Sequence, residues 1–96
     1  MLVLVTYDVS TQTALGRKRL RKVSKVCQNY GQRVQNSVFE CIVDSGQLIT
    51  MKLKLLEIIE ENEDSLRIYQ LGNNYKAKIE HVGMKPSVDL EAPLIF

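Results

Sequence analysis

An α+β fold, with one antiparallel sheet and helices on one of its faces, is predicted by three features of this 96-residue sequence. Segments with strand character and segments with helical periodicity follow one another in the order strand, helix, strand, strand, helix, strand. The first strand is apolar on both of its faces, so both faces must be covered. Since the helices cover only one face, we expect a second copy of the chain on the other.

The composition is that of one ordinary globular domain. Hydrophobic residues make up 45% and charged residues 25% of the chain, which argues against disordered and membrane classes. No apolar run is long enough for a bilayer span, and the N-terminal run lacks a basic leader, so we expect a cytoplasmic protein without a membrane partner. Cys27 and Cys41 lack metal-ligand spacing and are expected to be buried, and the single histidine, His81, excludes multi-histidine zinc sites.

The first strand, residues 1–7, combines β-branched and aromatic residues and ends in a carboxylate, Asp8. Side chains alternate along a strand, so Tyr7 and Asp8 point to opposite faces. Asp8 is the first candidate for chemistry. The alternative is that it only caps the turn into the following helix.

A helix is predicted over residues 14–30, with Thr11 or Thr13 as the N-cap and Gly31 as the stop. Its apolar stripe repeats at helical spacing. The helix carries six of the thirteen cations, and all of them except Arg19 fall mainly on the side opposite that stripe: Arg17, Lys18, Arg19, Arg21, Lys22 and Lys25. No acid lies between Asp8 and Glu40, whereas a helix built only for solubility usually mixes signs. An anion-binding surface is therefore favoured over a merely solvated basic face.

The remaining elements are strands over residues 33–35 and 38–43, a helix over residues 47–62 and a strand over residues 65–71. A further short extended piece is expected within residues 75–82. An acidic cluster closes the second helix, where acids oppose the helix dipole, so we expect it to serve repulsion or a partner rather than stability: Glu57, Glu60, Glu61, Glu63 and Asp64.

Residues 1–82 are thus expected to form a ferredoxin-like βαββαβ domain with both helices on one face of an antiparallel sheet. Residues 83–96 contain both prolines and end in an apolar triplet, which predicts a linker and a C-terminal edge strand. We expect this strand to complete a homodimer that forms through the open sheet face.

Two motifs resemble the Cas-two family of CRISPR-associated proteins. They are the strand ending in YD at residues 7–8, followed by the R-x-R element at residues 17–19, and the segment RVQNSVFE at residues 33–40. The resemblance covers the whole chain. It implies a ferredoxin-like homodimer that sits between Cas-one-type integrase dimers during the capture of new spacers. It also implies a metal-dependent endonuclease that acts on RNA or double-stranded DNA.

The resemblance also implies site residues. The matching positions are Tyr7 and Asp8 as catalytic residues and, for nucleic-acid binding, Arg17, Arg19, Arg33 and Phe39. Ser10 and Thr11 are close to Asp8 in sequence and are candidates for contact with phosphate or a metal-bound water. For Phe39, a place in the core is an equal alternative.

A metal site would require two chains. A two-fold axis at the open sheet face would bring together Asp8 of each subunit, and two carboxylates plus waters suit the oxygen-only, octahedral preference of Mg²⁺. The sequence therefore predicts a shared Mg²⁺ ion with Asp8 as its ligand.

Two functional classes remain open. One is a Mg²⁺-dependent endonuclease. The other is a non-catalytic bridge whose arginines bind the duplex backbone without reading sequence, while the acidic helix end or the C-terminal tail docks the integrase. A toxin-type ribonuclease of the virulence-associated D family, which shares this dimeric fold, is a more distant third. An RNA-recognition module is disfavoured because the strand of Phe39 lacks its stacking motif.

Overall fold

The computed structural model describes residues 1–83. Its elements are β1 (Leu2–Asp8), α1 (Ala14–Tyr30), β2 (Gly31–Gln35), β3 (Val38–Ile42), α2 (Ser45–Ile58), β4 (Ser65–Gly72) and a short 3-10 helix (Lys76–Lys78). The predicted α+β, ferredoxin-like element order is confirmed. The predicted C-terminal edge strand lies outside the described residues.

The four strands form one antiparallel sheet in the order β2-β3-β1-β4. On one face, alternate residues of β1 and β3 pack under the two helices, as the alternation predicted; this core includes Val3, Val5, Tyr7, Phe39, Cys41, Val23, Cys27, Leu48, Met51 and Leu55. On the other face, Leu4 and Thr6 are only half-buried and Asp8 is exposed. Because β1 is central in the sheet, its end lies between the neighbouring ends of β3 and β4.

Helix α1 begins and ends at the predicted residues because the residues that cap its two ends act locally. The Thr13 side chain accepts a hydrogen bond from the Gly16 N–H at 3.0 Å, and the Gly31 N–H donates to the Cys27 carbonyl. Gly16 also packs on the preceding loop so closely that an added Cβ would lie 2.0 Å from the Ser10 carbonyl oxygen. Only glycine fits this position without displacing that loop.

Helix α2 differs from the prediction at both ends. It begins at Ser45 because Asp44 and Gln47 form a capping box, with the Gln47 N–H 2.7 Å from Asp44 Oδ1 and the Asp44 N–H 3.0 Å from Gln47 Oε1. It ends at Ile58 rather than residue 62, because the chain then turns so that the Asp64 N–H donates to the Glu60 carbonyl at 2.8 Å.

The extended piece expected within residues 75–82 is also wrong, since Lys76–Lys78 form a 3-10 turn instead. Neither α1 nor α2 is long and apolar enough to cross a membrane, and residues 1–83 contain no other helix that is.

Candidate functional site

Asp8 lies at the end of β1 on the sheet face that the helices leave uncovered. The strand register places Ser65 opposite Asp8 and Arg67 opposite Thr6. A surface depression of about 400 Å³ opens here, and the residues that line it are Thr6, Tyr7, Asp8, Ser37, Val38, Ser65, Leu66, Arg67 and Tyr69. A carboxylate, a guanidinium and several hydroxyl-bearing residues therefore share one concave, water-accessible surface.

Arg67 is the functional candidate that sequence reasoning missed. It is exposed on β4, and because Asp8 pairs with Ser65, Arg67 is the diagonal neighbour of Asp8, which puts their Cα atoms roughly 7–8 Å apart. Its Nη1 donates to the Tyr69 hydroxyl at 3.1 Å, and this hydrogen bond raises the pKa of Arg67. The alternation in β4 indicated the face that Arg67 occupies. Its closeness to Asp8 depends on the register between β1 and β4, which has no local signal.

Tyr7 lies on the opposite face from Asp8, as the alternation predicted. Its side chain is 5% exposed, and its hydroxyl is 2.8 Å from Ser24 Oγ on α1 and 3.4 Å from the Asn36 carbonyl oxygen. The ring stacks on Phe39, with centroids 6.2 Å apart. The hydroxyl therefore links the sheet to α1, and the predicted catalytic role of Tyr7 stays a prediction.

Phe39 is fully buried between the sheet and the helices, so its ring is not accessible to a nucleobase. Of the two alternatives that the sequence left open for this residue, the structure favours packing. Arg33 is exposed at the edge of the sheet, and its guanidinium lies over the Phe39 ring, with Cζ 5.2 Å from the centroid. Arg33 is therefore the member of this pair that a phosphate could reach.

The loop after Asp8 contains the other two predicted contacts, Ser10 and Thr11. The Ser10 N–H donates to Asp64 Oδ1 at 3.0 Å, and the Thr11 carbonyl accepts from Arg17 Nη1 at 3.1 Å. These bonds use the backbone of both residues and not their hydroxyls. The structure thus shows how the loop is held, and the predicted phosphate contact of the two hydroxyls stays a prediction.

Arg19 does not extend into solvent like its helix neighbours. Its Nε donates to Asp64 Oδ2 at 2.8 Å and its Nη2 to Glu63 Oε2 at 2.9 Å, and its side chain is only 17% exposed. This bears on two expectations. Arg19 has acidic partners within the chain, and its predicted contact with nucleic acid stays a prediction. The end of the acidic cluster, with Asp64 fully buried, stabilises the fold through this ion pair rather than serving repulsion.

The contacts of Asp64 also keep it ionised. Burial alone would raise the pKa of this carboxyl, but hydrogen bonds from Arg19, Glu60 and Ser10 and the charge of Arg19 outweigh burial and hold the pKa below its ordinary value. The surrounding N–H groups therefore favour the charged form of this buried carboxyl.

Comparison with known proteins identifies the family. Residues 1–79 match the family model described as CRISPR associated protein Cas2. The chain belongs to the Cas2 family of CRISPR-associated proteins. The resemblance predicted from the YD and RVQNSVFE motifs is confirmed.

Relatives and solved structures agree with this assignment. The chain is 72% identical over 96 residues to the CRISPR-associated endonuclease Cas2 of Halalkalibacterium halodurans, with all of both chains covered. It is 57% identical, again over all of both chains, to the CRISPR-associated endoribonuclease Cas2 of Chlorobaculum tepidum. The crystal structure of Streptococcus pyogenes Cas2 at pH 6.5 superimposes with a TM-score of 0.76 at 55% identity, covering 86% of this chain and 100% of that one.

A further Cas2-like neighbour comes from a multi-protein assembly. A chain of the partial Cas6-RT-Cas1--Cas2 complex matches with a TM-score of 0.63 and 31% identity, covering 84% of this chain and 88% of that chain. At least one similar structure has therefore been solved in a complex with Cas1.

A metal site of the kind expected for this Cas2 family member is not complete within residues 1–83 of one chain. Residues 1–83 contain no group of three or more His, Cys, Asp or Glu side chains placed to hold a metal ion. Among the described residues, Asp8 is the one acid that lines the depression. Water, a substrate phosphate or a second copy of the chain could supply further ligands beside it.

Proposed function

We propose that this chain is a CRISPR-associated nuclease subunit that cleaves phosphodiester bonds at the Asp8 depression and works with a Cas1-type integrase in spacer acquisition. This proposal depends on one observation above all: Asp8 and Arg67 share one open depression on the uncovered sheet face. Both ion pairs of residues 1–83 involve Arg19, so neither neutralises the Asp8 carboxylate. The names of the relatives as endonuclease and endoribonuclease support this reaction class.

The two charged groups suit opposite parts of a phosphodiester. The Arg67 guanidinium can donate two N–H groups to non-bridging phosphate oxygens and stabilise the charge that develops there during cleavage. The Asp8 carboxylate, on the same face, can accept a proton from an attacking water or orient it. The exposed Tyr69 ring, fixed by its hydrogen bond to Arg67, lies beside them and can stack on a base of a single strand.

The proposal includes a homodimer through the uncovered sheet face. Half-buried apolar side chains lie on that face of β1 and β3, namely Leu4, Val38 and Ile42, and a second copy would cover them. Such a dimer would bring two Asp8 carboxylates towards one axis. A Mg²⁺ ion held there would supply charge neutralisation at the phosphate. Sedimentation of the wild type and of a Leu4→Lys variant tests the dimer, because a lysine on this face would repel its copy.

The experiment for the nuclease measures cleavage of single-stranded RNA and of duplex DNA, with Mg²⁺ and with chelator. The variants are Asp8→Asn, Arg67→Gln and, as a matched acid-to-amide control on the exposed turn, Glu61→Gln. We expect Asp8→Asn to reduce cleavage by about 10²-fold or more and Arg67→Gln by about tenfold or more, with Glu61→Gln unchanged. Wild-type rates in Asp8→Asn would refute the proposal.

A non-catalytic nucleic-acid bridge is the second candidate, favoured by the surface of α1. Its cations are exposed apart from Arg19, and neither ion pair of residues 1–83 includes them: Arg17, Lys18, Arg21, Lys22 and Lys25. Such a surface neutralises phosphates without reading bases. If this is the only function, Asp8→Asn should leave DNA binding and assembly with the integrase intact, whereas removal of the α1 cations should weaken both.

A further inference from the structure

A single buried carboxylate, Asp64, joins three separate segments of the chain. It accepts hydrogen bonds from the Ser10 N–H at 3.0 Å, from the Glu60 N–H at 2.9 Å and from Arg19 Nε at 2.8 Å. Arg19 Nη2 adds a longer contact of 3.4 Å to Oδ1. The loop after β1, helix α1 and the turn before β4 are therefore held at one point.

Asp64 is close to the candidate catalytic residue, Asp8, both across the sheet and along the chain. Asp64 directly precedes Ser65, which pairs with Asp8 across the β1–β4 ladder. Ser10, the residue whose N–H Asp64 binds, follows Asp8 by two positions on the other side. The backbone that carries Asp8 is thus fixed both across the sheet and along the chain.

The same loop is also fixed from its other side. The Ser10 carbonyl rests against Gly16, where an added Cβ would lie 2.0 Å from the oxygen, while the Ser10 N–H is bound by Asp64. Ser10 therefore has little freedom to move towards or away from α1. This second contact offers a way to displace the loop without altering Asp64.

We infer that Asp64 is a positioning residue for the nuclease reaction: its contacts with Ser10 and Arg19 hold the end of β1 so that the Asp8 carboxylate faces the depression. The inference rests on the proposed function. Asp64 is buried and does not contact the substrate itself, so its effect passes through the backbone of residues 8–10. A displacement of about 1 Å at a reacting group is enough to cost about 10²-fold in rate.

The test compares Asp64→Asn, Gly16→Ala and Glu63→Gln with the wild type and with Asp8→Asn. An asparagine side chain offers one acceptor, so it cannot serve both N–H groups and the guanidinium. Gly16→Ala pushes on the Ser10 carbonyl and leaves Asp64 intact. Glu63→Gln is the matched control, because it removes the negative charge of the neighbouring partner of Arg19 and leaves the Asp64 contacts in place.

Two properties are measured under conditions in which each variant is folded. The first is kcat and KM for cleavage, and the second is hydrogen exchange at the backbone amides of Ser10 and Phe39. For Asp64→Asn and Gly16→Ala, we expect kcat to fall by about tenfold or more while KM changes by less than about twofold, because the site is misaligned rather than lost. The Ser10 amide should exchange about tenfold faster relative to Phe39 in the core. Glu63→Gln should show neither change.

The outcomes separate the two proposals. If Asp8→Asn abolishes cleavage but Asp64→Asn and Gly16→Ala keep the wild-type kcat, the positioning role is overturned and the nuclease stands. If Asp8→Asn cleaves like the wild type, the proposed function fails and the positioning role fails with it. A kcat loss of equal size in Glu63→Gln would also overturn the role of Asp64. If Asp64→Asn does not fold, Gly16→Ala decides alone.

Discussion

The guanidinium of Arg33 lies over the ring of Phe39, with Cζ 5.2 Å from the ring centroid. Tyr7 also contacts Phe39, and the centroids of their stacked rings are 6.2 Å apart. These three residues were all expected to act on nucleic acid, yet they form one packed group on the helix side of the sheet. Asp8 lies on the other side of the sheet, so substitutions in this group and substitutions of Asp8 can be tested separately.

Phe39 should matter mainly for stability. We expect Phe39→Ala to lower the free energy of unfolding by about 3–5 kcal/mol, because the ring is fully buried. Arg33→Gln removes a cation–π contact at an exposed position and should cost less than about 1 kcal/mol. Urea unfolding of both variants measures this. Equal losses in the two variants would contradict the assignment of Phe39 to the core.

Tyr7→Phe should lower stability without reducing cleavage. The variant keeps the ring and removes the hydroxyl that lies 2.8 Å from Ser24 Oγ, which should cost about 0.5–1.5 kcal/mol. Ser24→Ala is the matched control, and the two losses should not add, because both remove one interaction. If Tyr7→Phe lost cleavage about tenfold or more at unchanged stability, Tyr7 would take part in the reaction.

Asp64 should make the protein less stable in acid. Its pKa is lowered in the folded chain, so between that value and the ordinary value of about 3.9 the unfolded chain binds more protons. Its contribution is complete above the ordinary pKa and is lost as the pH falls through the folded one. In urea unfolding between about pH 2 and pH 6, Asp64→Asn should therefore show a flatter dependence than the wild type.

The control for this experiment is Glu61→Gln, which leaves the Asp64 contacts intact and is expected to keep the wild-type dependence on pH. The same slope in Asp64→Asn as in the wild type would show that the carboxylate does not contribute.

The two buried thiols should be unreactive in the native protein. Burial raises the pKa of Cys27 to about 12 and that of Cys41 to about 11, so very little reactive thiolate exists near neutral pH. With a disulfide reagent at pH 8, we expect both thiols to react at least about a hundredfold more slowly in buffer than in urea. Rapid modification of either cysteine under native conditions would contradict this burial.

Nucleic-acid binding should depend on salt through the exposed face of α1. Replacing Arg21, Lys22 and Lys25 with glutamine should reduce the slope of log K against log salt by up to about 0.9 for each duplex phosphate that the variant no longer neutralises. Anisotropy titrations of labelled duplex at several salt concentrations measure the slope. Lys52→Gln, on α2, is the single-charge control. If the triple variant changed the slope no more than this control, the duplex would lie elsewhere.

The local elements of this chain could be predicted from residues that are near one another in sequence. Helix α1 was predicted at its observed bounds because the Thr13 cap and the Gly31 stop act within one turn. Alternation predicted which residues of β1 share a face, but not which of the two apolar faces the helices cover. Helix α2 was predicted too long, because Asp64 and Glu60 form a turn that periodicity does not reveal.

The sequence by itself thus determined the element order, which residues of β1 share a face, the aspartate at its end and the basic surface of α1. Tertiary structure alone decided that Arg67 is the neighbour of Asp8 and that Arg19 binds Asp64 across 45 positions of the chain. The physical reason is the distance along the chain over which each kind of interaction acts. Caps and alternation act between residues a few positions apart, whereas strand register and a buried ion pair form only when distant segments pack together.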